Sequence, residues 1–157
     1  MATFEAICGY VAALITAYLV GLLMVDVQMD LTGSQAELRS YHCALTNSFV
    51  TIVGFIRMGL PVVVGAVIHV LLSLRTHAPD LRRLQRLQTA GLVFVGMPAV
   101  GVSISTCVHM CLSTAESVAD ASAVVRASHY VMLLLFAVCL WVQSYVLLSQ
   151  KTHNKLS

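Results

Sequence analysis

Four long apolar runs alternate with polar stretches along the chain. Ala6 to Val25 is the first, and Ala44 to Leu74 the second, uninterrupted except by Arg57, Pro61 and His69. Thr89 to Leu112 and Ser128 to Leu148 complete the set. Each run reaches the roughly 20 residues that a helix needs to cross a bilayer. The pattern therefore predicts spans over about 6–25, 46–74, 88–112 and 128–148. The expected fold is all-α, a polytopic membrane protein built as an antiparallel four-helix bundle with short loops, in a single domain.

The polar stretches predict how the runs are joined. Asp26 to Cys43 carries Asp26, Asp30, Glu37 and Arg39, a net acidic first loop. Within it Ser34-Gln-Ala-Glu37 fits a capping box that opens a short helix. Arg75 to Gln88 is basic, and Pro79-Asp80 predicts a helix start with Asp80 as its cap. Leu81, Leu84 and Leu87 fall on one side of that turn. Arg82, Arg83 and Arg86 fall towards the other, suited to anionic lipid headgroups. Ser113 to Ala127 predicts a short acidic loop with Glu116 and Asp120 against Arg126.

Composition removes the soluble alternative. Of 157 residues, 59% are apolar and 10% charged, against about 45–50% and 25% in soluble domains. The net charge of +2 matters less than its placement, because six of the nine basic residues lie in Arg75–Gln88 and the tail. The positive-inside rule then expects both termini on the cytoplasmic side. No basic residue precedes Arg39, so the first run is expected to remain a span rather than a cleaved signal. The composition does not choose between plasma membrane and endomembrane, and no nucleic-acid partner is expected.

Within the runs, small residues mark packing faces. Gly9, Ala13, Ala17 and Gly21 recur every fourth residue, and Gly54 and Gly65 share a face with Arg57 and Pro61. In lipid such stripes let another backbone approach closely. Arg57 is the costly residue, since a central arginine is unfavourable by about 2.5–3.5 kcal/mol on insertion scales. Counting residues places no carboxylate at its depth, with Tyr18, Ser103 and the carbonyl freed by Pro61 as the nearest polar groups. The counter-charge is thus expected from a partner helix, an anionic lipid or a ligand.

Other chemistry is sparse. Cys43, Cys107 and Cys111 lie at the outer helix ends, where one disulfide from Cys43 to the third helix fits an oxidising face. His42, His109 and His129 are weak metal candidates, and facing His109 and His129 would suit haem. The expected spans hold no acidic residue, so a carboxylate proton relay is not expected. There is no catalytic set, phosphate cradle or repeat. The favoured role is non-enzymatic: an accessory, scaffolding or assembly subunit packed against partner membrane helices or a second copy. Two alternatives stand behind it, a haem- or ligand-binding redox protein using His109 and His129, and an oligomeric transporter or channel with Arg57 on an anion path.

Overall fold

The first helix, α1 (Ala2–Thr32), runs seven residues beyond the expected end of the first span. Nothing in Asp26–Thr32 breaks a helix, and Gly33 is the first residue that does. The structure, a computed structural model, describes residues 2–46, 54–112 and 118–156. The expected entry into the second span at 47–53 and Glu116 lie outside the described residues.

After α1 comes α2 (Gln35–Thr46), opened by the expected capping box. The Ser34 N–H and hydroxyl both donate to Glu37 Oε2 at 2.8 Å, and the Glu37 N–H donates back at 3.4 Å. These bonds to the charged form hold the Glu37 carboxyl below the ordinary glutamate range. A π-helical turn over Phe55–Gly59 leads into α3 (Leu60–Arg75). Next, α4 (Pro79–Gly91) passes through a second π-turn, Leu92–Gly96, into α5 (Met97–Leu112). The last helix is α6 (Val118–Leu156). Each π-turn ends two residues before a proline, Pro61 and Pro98. A proline cannot donate to the carbonyl four residues back and its ring crowds it, and widening the turn by one residue relieves both. The Leu60 N–H accordingly reaches Phe55 O, and the Met97 N–H reaches Leu92 O.

Among the described residues the chain is all-helical, and four helical stretches are long and apolar enough to cross a membrane: Phe4–Thr32, Phe55–Arg75, Pro79–Leu112 and Asp120–Leu148. Their buried positions follow a 3–4 spacing. On α1 these are Gly9, Ala12, Thr16, Leu19, Leu23, Asp26 and Asp30. On α6 Val125, His129, Met132, Phe136, Cys139, Gln143 and Val146 run the same way. This is the heptad seam of closely packed helices. The two seams meet end to start: Gln143 Nε2 donates to Gly9 O at 3.2 Å, while Asp30 meets His129. Between these polar ends lies an apolar core of Leu19, Leu23, Met58, Val62, Ala66, Leu92, Val100, Met132 and Phe136.

Several expectations about faces are corrected. The Gly9–Gly21 stripe steps by four while the seam averages 3.5, so it rotates out of the bundle. Gly9 is buried, Ala13 half-buried, and Ala17 and Gly21 exposed. Of the second pair, a Cβ at Gly54 would meet Ile104 Cγ1 at 3.2 Å, whereas at Gly65 it would find only ordinary contacts with Ile15 and Leu92. On α4 the buried face is polar, Gln85 and Gln88, and Leu87 is turned outward. The α4 N-cap is Ala78, with Asp80 inside the first turn instead of capping it.

Candidate functional site

The extension of α1 decides where the site lies. It carries Asp26 and Asp30 onto the same seam as Leu19 and Leu23, and both carboxylates are buried, at 1% and 3% exposure. The expectation that the spans lack acidic residues therefore does not hold: two lie within the apolar stretch Phe4–Thr32. Three other elements bring polar side chains to them.

Asp26 takes the charge of Arg57. Arg57 Nη2 donates to Asp26 Oδ1 at 2.9 Å, and the Tyr41 hydroxyl donates to the same oxygen at 2.8 Å. The expectation that no carboxylate shares the level of Arg57 is thus overturned, for a geometric reason. The Arg75 guanidinium lies over Phe4, 4.9 Å from its ring centroid, which sets the start of α1 level with the end of α3. At ~1.5 Å per residue, Asp26 stands about 33 Å from Phe4 and Arg57 about 27 Å from Arg75. Arg57 and Asp26 thus stand at neighbouring levels, each far from the Phe4 and Arg75 end. Burial, and then the bond to the Asp26 carboxylate, push the Tyr41 phenol above its ordinary value.

Asp30 joins two imidazoles. Its Oδ2 lies 2.7 Å from His129 Nδ1 and its Oδ1 lies 3.4 Å from His42 Nε2. His129 Nε2 in turn meets Ser103 Oγ at 3.1 Å, and His42 bonds the Cys107 thiol. The network runs Ser103–His129–Asp30–His42–Cys107 across α5, α6, α1 and α2. Burial pushes the His42 imidazole down, but Asp30, followed by Cys107, outweighs it and holds the group up at about 9. Just beside it, a Cys43–Cys111 disulfide ties α2 to α5, with Cα atoms 5.6 Å apart. Cys107 is a free, buried thiol.

The connectivity Ser103–His129–Asp30 is that of a hydrolytic triad, with serine on Nε2 and carboxylate on Nδ1. Ser103 is only 4% exposed, however, and the outward groove described next does not reach it. The three side chains are engaged with one another, and among the described residues they form a buried hydrogen-bonded network. Haem fares no better on this geometry. His109 is exposed on α5, while both nitrogens of the buried His129 are already engaged. Among the described residues no three His, Cys, Asp or Glu side chains are placed to hold a metal ion.

The four residues grouped around Arg57 by sequence part company. Ser103 joins the histidine network, and Arg57 goes to Asp26. Tyr18 and Pro61 come together elsewhere, with Leu14, Ile15, Leu60 and Val64, in an outward-facing apolar groove of about 360 Å³ between α1 and α3. Tyr18 is 51% exposed there. At the other end of the molecule, His69 Nδ1 bonds Gln85 Oε1 and Gln88 Nε2 donates to Cys139 O at 2.9 Å. Arg82 is half-buried, donating to Thr76 O at 3.0 Å and His77 O at 3.4 Å. Arg83 and Arg86 are exposed.

Sequence reasoning missed Asp26, Asp30, Tyr41, Gln85, Gln88 and Gln143. For the two aspartates a signal existed: Leu19, Leu23, Asp26 and Asp30 continue one 4-3-4 spacing. No protein-family model, curated protein or solved structure matches this chain.

Proposed function

We propose that this chain is a non-enzymatic accessory or assembly subunit of a membrane complex. It is an antiparallel bundle of four spans with both termini cytoplasmic, and it receives a helix of another subunit on the α1–α3 groove. The observation that carries this reading is Tyr18. Its side chain stands about 21 Å above Phe4 at ~1.5 Å per residue, deep within a hydrocarbon layer about 30 Å thick. There it is 51% exposed, and its hydroxyl has no hydrogen-bond partner among the described residues. A hydroxyl facing lipid is unfavourable, and an acceptor on a neighbouring helix relieves it.

The surroundings suit that occupant. Ala17 and Gly21 share the outward face of α1 with Leu14 and Tyr18, and a Cβ at Gly21 would meet nothing within 4 Å. A second backbone can therefore approach closely. Arg57 does not contribute, because Asp26 already balances it. The orientation rests on charge: Arg83, Arg86 and the basic tail fall on the side of Phe4 and Arg75, opposite the disulfide, which suits an oxidising outer face.

Affinity purification from native membranes in mild detergent tests the reading. Wild type should carry a stoichiometric membrane partner, or a second copy, that Gly21→Leu and Ala17→Leu lose without loss of thermal stability. A monomer carrying only lipid, or variants that keep every partner, would end it.

A further inference from the structure

We propose that Cys107 is an internal exchange thiol that moves the outer disulfide one helical turn along α5, from Cys43–Cys111 to Cys43–Cys107. Three placements carry this. Cys107 and Cys111 lie on one face of α5, one turn apart, where Cβ atoms stand about 5–6 Å from each other. His42, which bonds the Cys107 thiol, is the chain neighbour of Cys43, so α2 presents both the imidazole and the bridge to the same stretch of α5. Asp30 backs the imidazole from α1. Cys107–His42–Asp30 is thus a thiol beside an imidazolium that a carboxylate holds in place, the arrangement that favours a cysteine thiolate.

The exchange balances without any outside oxidant or reductant. Cys107 gives up its proton to the buffer, leaving a thiolate beside the His42 imidazolium held by Asp30. The Cys107 sulfur attacks Cys43 Sγ, forming the Cys43–Cys107 bond and breaking Cys43–Cys111. Cys111 leaves as a thiolate and takes up the proton, so one disulfide and one thiol stand on each side. The titratable groups facing His42 are Asp30 from α1, His129 from α6 and the Cys107 thiol from α5. Burial matters here: Cys107 is 6% exposed, closed to reagents from solution but next to an internal disulfide. Cys111 is half-buried, and its release would open a reactive thiol at the outer face while drawing α2 about 6 Å along α5 at ~1.5 Å per residue.

Trapping the released thiol tests this in the full-length protein. Folded wild type in micelles is held near pH 8 with N-ethylmaleimide, then quenched in acid and mapped by non-reducing mass spectrometry. The expected product carries the label on Cys111 and a Cys43–Cys107 bridge, and it accumulates about tenfold more slowly in His42→Asn. Cys111→Ser, isolated from oxidising membranes, should hold the Cys43–Cys107 bridge from the start. Wild type that keeps Cys43–Cys111 with Cys111 unlabelled overturns the proposal, whatever happens to the variants. So does a Cys111→Ser protein in which Cys43 and Cys107 both remain alkylatable.

Discussion

Arg57 and Asp26 show what a buried charge requires in this fold. The Arg57 side chain is 23% exposed and that of Asp26 1%, so removing the arginine leaves a carboxylate with no escape. Breaking such a pair from one side costs about 3–5 kcal/mol, whereas removing both charges is far milder. Arg57→Leu should therefore be strongly destabilised in micelles, and Asp26→Leu/Arg57→Leu should recover much of the loss. Thermal unfolding of the three variants measures this, and equal stability of Arg57→Leu and wild type would deny the pair a structural role. Arg57→Leu is accordingly expected to weaken the fold instead of selectively losing a partner.

His42 gives the second residue-scale outcome. Its folded pKa, about 9, lies above the ordinary histidine value near 6.5 because Asp30 and Cys107 outweigh burial. A raised folded pKa contributes stability that is complete below about 6.5 and disappears as pH rises through about 9. Unfolding followed from pH 6 to pH 10 should show that decline, and His42→Gln should flatten it. A wild-type curve without slope in that window contradicts the assignment.

At the scale of elements, α1 separates what was legible from what was not. The apolar period marks it from Ala6 to Val25, but polarity alone reads Asp26–Thr32 as a loop. Those residues stay helical because their buried members continue the seam and find Arg57, Tyr41, His42 and His129 as partners, tertiary contacts that local pattern does not contain. The same gap explains Arg57: its depth was counted from a span taken to begin at 46, whereas the described helix gives its level only from the Arg75 end. On α4 the sequence separates leucines from arginines, but the buried positions are Gln85 and Gln88, with Leu81 and Leu84 half-buried and Leu87 exposed. The capping box at Ser34–Glu37 was readable because its chemistry is local.

The two faces of α1 should respond oppositely to the same change. A Cβ at Gly9 would lie 2.9 Å from Leu147 Cδ2 and 3.3 Å from Gln143 Nε2. Gly9→Leu should thus overpack the α1–α6 seam at a cost of about 1–3 kcal/mol. Gly21→Leu, in open space, should unfold like wild type. Paired denaturation measurements decide the matter, and equal effects at the two glycines would place the seam wrongly.

The whole molecule is polarised along the helix direction. One end gathers His69, Gln85 and the arginines of α4; the other gathers the carboxylates, two histidines and the disulfide. Under the proposed orientation the arginine end is the cytoplasmic one. Arg83→Cys should accept a membrane-impermeant maleimide only after permeabilisation, and Ser40→Cys, on exposed α2, should accept it in intact cells. The reverse pattern would invert the topology.

The polar groups at both ends largely satisfy one another inside the bundle, which leaves the Tyr18 face as the surface proposed to meet another helix. A photo-crosslinking amino acid placed at Tyr18 in native membranes tests that directly, with Leu134, 68% exposed on α6, as the comparison site. A discrete protein adduct at Tyr18 and lipid adducts alone at Leu134 are predicted; lipid adducts alone at both positions would contradict the account.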